Sequence, residues 1–149
     1  MLDIELTNKT CQDFLDPQHV HMLLDAGIDM SDAKYCVVSR DGKQYVMMKD
    51  NVDKTQYSEC LPTYSTSELL YKIPEYLYIE KNGEEYSGGF KLSKDAPFYP
   101  AYFSLHNKNK SMFDESIQCC AEYPILSLAY ILIQCVKHGH KIVQDISSK

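Results

Sequence analysis

The segment Pro124–Gly139, PILSLAYILIQCVKHG, constrains this chain more than any other stretch. It opens on a proline, which suits a first helical turn because that turn has no use for the missing N–H, and it closes on a glycine, the common exit from a helix. Between these ends the polar interruptions are Ser127, Gln134 and Lys137, so the predicted helix is apolar on nearly every side. Such a helix must be covered by the rest of the chain. The sequence therefore predicts a packed core with Leu128, Ile131, Leu132 and Cys135 inside it. The apolar run is shorter than the ~20 residues that cross a bilayer, and no membrane association is expected.

A chain of 149 residues fits one globular domain over 1–149, with residues 1–10 and 141–149 expected to be loosely ordered. The formal net charge of −6 and the absence of a basic cluster beyond Lys108-Asn109-Lys110 argue against nucleic acid as a partner, since phosphate contacts need gathered Lys and Arg. The opening MLDIELTNKT lacks a basic stretch followed by an apolar run, so no secretory leader is expected and the cytoplasm is the expected compartment. There the six cysteines are expected to be reduced. Cys36 falls in a strand pattern and Cys135 in the apolar helix, where cysteine acts as a small hydrophobe. No Cys-x-x-Cys pair is present to hold zinc, and Cys119-Cys120 is a poor geometry for either bridge or metal.

Local signals give the element order. Asp16-Pro17 caps and starts a helix whose stripe is Val20, Leu23 and Leu24, and Gly27 stops it. Tyr35–Ser39 and Tyr45–Met48 read as strands joined by Asp41-Gly42, a tight hairpin turn. Residues 50–63 read as a polar loop. Ser65 and Glu68 form a capping box that starts a short helix through Leu69, Leu70 and Ile73, ended by Pro74. A second hairpin turns at Asn82-Gly83, and Gly88-Gly89 in its second strand predicts a bulge or a close backbone approach. Tyr99–Leu105 is a fifth strand, residues 106–112 a loop, and residues 114–121 a turn or short helix. The expected fold is α+β: a single antiparallel sheet of about five strands, two hairpins plus one strand, with three helices packed mainly on one face.

Three stretches together resemble a group of small uncharacterised proteins of gut bacteria and their phages or mobile elements. They are Phe14-Leu15-Asp16-Pro17-Gln18 running to Leu24–Ala33; Leu61-Pro62-Thr63-Tyr64-Ser65 with Glu68-Leu69-Leu70 and Ile73-Pro74; and Pro124 with Leu128-Ala129, Leu132-Ile133 and Gly139. The shared pattern is one of caps and apolar positions. The resemblance implies an accessory protein, and it brings no activity, cofactor or functional residue with it.

Candidate sites are few. His138 and His140 bracket a chain reversal and are the weak candidates for a metal, although the only acidic residue near them in sequence is Asp145, and zinc needs more ligands than that. His138 also suits a helix C-terminus on dipole grounds alone. His19 and His21 point to different sides of a helix. Cys60 is the candidate reactive thiol, with no helix start or cation beside it to activate it. The chain's peculiarity is twelve Tyr and no Trp. Strand alternation puts Leu77 and Ile79 on one face with Tyr76 and Tyr78 opposite, and Ala101, Phe103 and Leu105 on one face with Tyr102 opposite. If the aliphatic faces meet the helices, Tyr76, Tyr78 and Tyr102 line the open side of the sheet. Tyr favours binding surfaces, offering apolar area and a hydroxyl at low entropic cost; its ordinary preference for strands would give the same count. The function expected is non-enzymatic binding or an accessory role through that aromatic face, with a second copy or another protein as partner and no cofactor. The alternative is a small cysteine- or metal-dependent enzyme.

Overall fold

The structure, a computed structural model, describes residues 4–6, 13–52, 59–107, 109 and 113–140. Eight strands and three helices follow the order β1 (Ile4–Glu5), α1 (Pro17–Asp25), β2 (Tyr35–Arg40), β3 (Lys43–Met48), β4 (Glu59–Thr63), α2 (Thr66–Lys72), β5 (Tyr76–Lys81), β6 (Glu84–Leu92), β7 (Tyr99–Asn107), β8 (Phe113–Ala121), α3 (Pro124–Lys137). The expectations for residues 1–10 and 141–149 lie outside the described residues, apart from 4–6.

The caps and turns form as the residue types dictate. Asp16 accepts from the His19 backbone N–H at the start of α1. Ser65 and Glu68 complete a reciprocal capping box on α2. Both hairpin turns place two residues at positive φ, Asp41 (54°) with Gly42 (75°) and Asn82 (55°) with Gly83 (78°). That pairing of angles matches the right-handed twist of the flanking strands, and Asn or Asp followed by Gly adopts it with least strain.

The single five-stranded sheet does not form. The strands make two antiparallel sheets, β1-β3-β2-β4, in which β1 is only a two-residue edge addition, and β5-β6-β7-β8. The reason is edge occupancy. Both edges of the first hairpin are taken, by β1 and by β4, so the second hairpin does not pair with it directly and forms a sheet of its own with β7 and β8. The end of the stretch expected as a polar loop, Glu59–Thr63, is instead the edge strand β4, a position where Pro62 is tolerated. Residues 114–121, expected as a turn or helix, extend β7 as β8. Their alternation, with Ile117 and Cys119 inward and Ser116, Gln118 and Cys120 outward, is the period-two signal of a half-buried strand.

The main core lies on one face of the second sheet. Leu77, Ile79, Ala101, Phe103, Leu105 and Ile117 meet α3, which packs on β7 and β8, and α1 and α2 close against α3. Leu128, Ile131, Leu132 and Cys135 are fully buried there. The first sheet joins through β4, which packs on α1, and holds a smaller cluster of Phe14, Val37 and Val46.

Gly88-Gly89 is a close approach and not a bulge. The β6–β7 pairing keeps one register on either side, Ser87 with His106 and Phe90 with Phe103. A Cβ added at Gly88 would collide with the Ser104 carbonyl, whereas one at Gly89 would sit 3.7 Å from the Tyr76 ring. Gly88→Ala is therefore expected to cost about 1–3 kcal/mol, as overpacking against backbone does. Gly89→Ala is expected to be neutral or slightly stabilising; urea unfolding of the two variants checks the contrast.

Candidate functional site

Because β5 and β6 bury their alternate side chains in the core, the other set faces away from the helices. Tyr76 is 56% and Tyr78 73% exposed, with ring centroids 5.8 Å apart. Tyr102 shares this open face but is half-buried, flanked across the strands by Lys91 and Gln118. Register sets the rest of the face in rows. Glu80 pairs with Glu85 near the hairpin tip; Tyr78, Ser87 and His106 follow; then Tyr76 and Gly89; then Lys91 and Tyr102. Tyr76 leans over Gly89, so an aromatic ring covers backbone that no side chain protects. The surface thus combines two large rings with small polar neighbours, and its charges are separated, acidic at the tip and basic at the far end.

The other sequence candidates do not assemble. Cys60 is exposed, and it sits in β4 opposite Val38 instead of in a loop. His138 is exposed at the end of α3, while His140 is half-buried and its imidazole is pushed below its usual pKa by burial. Asp145 lies outside the described residues. Among the described residues no three His, Cys, Asp or Glu side chains converge on a metal position. A shallow groove of about 340 Å³ between α3 and β8 is lined by Cys119, Cys120, Tyr130 and Lys137. Burial raises the Cys119 thiol pKa, with Lys137 pulling partly back, and burial pushes Cys135 up to about 12. These thiols are held protonated, the reverse of an activated nucleophile. Beside the groove, the His19 Nδ1 meets Asp16 at 2.7 Å and its Nε2 meets the Tyr130 hydroxyl at 3.0 Å, which ties α1 to α3.

Sequence reasoning missed one cluster entirely. Lys72, at the end of α2, forms a buried ion pair with Asp32 from the turn before β2. The Tyr64 hydroxyl donates to the other Asp32 oxygen at 2.6 Å, and the Lys72 ammonium lies 5.6 Å from the Tyr64 ring centre. Burial first, then the carboxylates of Glu68 and Asp29, raise the Tyr64 pKa, so the phenol stays a donor. Glu68 extends the network by accepting from the Lys34 backbone N–H at 3.2 Å. Asp32, Lys34, Glu68 and Lys72 help to wall a surface recess of about 200 Å³, but the ammonium and the Asp32 carboxylate are committed to each other and to the Tyr64 phenol. The cluster is a clamp joining α2, the residue just after β4 and the turn before β2. No signal in the sequence marks it, since Asp32 and Lys72 stand 40 positions apart.

Among the described residues no helix is long and apolar enough to cross a membrane. Comparison of the chain with protein-family models, with curated proteins and with solved structures gives no match.

Proposed function

We propose that this chain is a non-enzymatic binding protein that presents the open face of its second sheet to a protein partner. One observation carries the reading: Tyr76 and Tyr78 stand exposed and side by side on a sheet whose other face is a filled core. Aromatic area left in water beside a rigid backbone marks interaction surfaces. Rings next to Ser87, Gly89 and Ser104 give the Tyr, Ser and Gly mixture that favours protein recognition. Among the described residues Lys91 is the only Lys or Arg that the strand register places on this face, which suits a protein better than a phosphate polymer. A cytoplasmic setting with reduced thiols, and an accessory role tied to phages or mobile elements, belong to the same proposal.

Site-directed photo-cross-linking in the producing cell tests it. A photo-reactive phenylalanine analogue at position 78 is expected to give discrete adducts that disappear when Tyr76 is changed to Ser. The same analogue at Tyr71, 62% exposed on α2, serves as the control and is expected to give none. Equal labelling from both positions, or none from position 78, would remove the binding face.

A further inference from the structure

Two opposite charges on the open face, Glu85 and Lys91, lie at equal distances from a common centre, and that centre identifies a partner. Leu77 pairs with Gly88, and the β6–β7 register on either side brings Leu105 opposite Gly88. Counting outward from Gly88, Ser87 and Gly89 lie one step away and Glu85 and Lys91 three steps away; on β5, Tyr78 and Tyr76 flank Leu77. A rotation by half a turn about an axis parallel to the line Leu77–Gly88–Leu105 and above the open face therefore places Tyr76 over the position of Tyr78 and Glu85 over that of Lys91. We infer that the occupant of this face is a second copy of the chain, docked face to face with its strands reversed, so that Tyr76 meets the partner's Tyr78 and Glu85 meets the partner's Lys91.

This inference rests on the binding face proposed above and adds its occupant. Two-fold dimers present one patch to itself, so a self-complementary patch is the requirement. The charge pattern also selects the axis. A two-fold running along the strands would bring the Glu80 and Glu85 end of one copy onto the same end of the other, and like charges placed opposite are unfavourable. The axis across the strands pairs opposite charges about 10 Å either side of its centre, at about 3.4 Å per residue. Three strands of nine residues and one of six, at about 3.4 Å per residue and about 4.8 Å spacing, give about 540 Å² a side, which lies near the lower limit for specific association. A reversible, concentration-dependent dimer is expected, not a permanent one.

Sedimentation velocity on the full chain over a wide concentration range tests this. The wild type is expected to move from one chain mass towards two. Lys91→Glu and Glu85→Lys should each weaken the dimer on the order of ten- to a hundredfold, because each creates two repulsive contacts. Their equimolar mixture, and the double variant Glu85→Lys/Lys91→Glu, should recover it, which also shows that the single variants fold. A wild type that stays at one chain mass throughout, or a dimer indifferent to these charges, overturns the second copy. The two readings separate at position 78. Adducts of twice the chain mass support both; adducts confined to a different protein retain the binding face and reject self-association.

Discussion

Lys72→Met is expected to destabilise the chain by about 3–5 kcal/mol, the range for removing one partner of a buried ion pair. The Lys72 side chain is 2% and the Asp32 side chain 5% exposed. Removing the ammonium strips a largely buried carboxylate of its counter-charge. The hydroxyl of Tyr64 remains as a donor to Asp32, and one neutral hydrogen bond compensates only part of that loss. Asp32→Ala should cost a similar amount for the opposite charge, and it also takes the acceptor from Tyr64. The double variant Lys72→Met/Asp32→Ala should cost less than the sum of the two. A coupling of about 1–3 kcal/mol from a urea-unfolding double-mutant cycle is the expected signature of residues in one network. Additive effects would mean that the pair is held apart in solution.

That clamp shows where sequence reading stops. A lysine in the last turn of a short helix reads as a solvated charge that complements the helix dipole. Only the placement of Tyr64 and Asp32 over it turns it inward. The caps, the two turns and the alternation of Tyr76–Ile79 and Ala101–Leu105 were legible because each is set by residues within a few positions of one another. So the faces of β5 and β7, and with them the candidate surface, could be read before the fold was known. The number of sheets could not. It depends on β4 and β8, of which one carries a proline and the other shows its alternation in the short run Ser116–Cys120 among the described residues. The symmetry about Gly88 was hidden for the same reason: Glu85, Lys91, Tyr76 and Tyr78 acquire a common centre only once the β5–β6 register is fixed.

Leu132→Ala is the second large effect expected, about 2–5 kcal/mol, the sum of lost transfer energy and the cavity left behind. Leu132 is fully buried near the middle of α3, with Leu128 and Cys135 on the adjacent turns of its face. The helix sits against β7, β8 and α2, so neighbours on several sides would have to move before the hole could close. Leu70, 44% exposed on α2, provides the comparison; its change to Ala should stay within about 0.5 kcal/mol, as surface substitutions do. Tyr76→Ser/Tyr78→Ser belongs in the same urea series. If those rings serve a partner, their loss should leave the stability of the dilute single chain within about 1 kcal/mol, since they bury little of their area in it. A cost for the tyrosine pair approaching that of Leu132→Ala would mean that the chain folds its own residues over the open face, and the face would then be core.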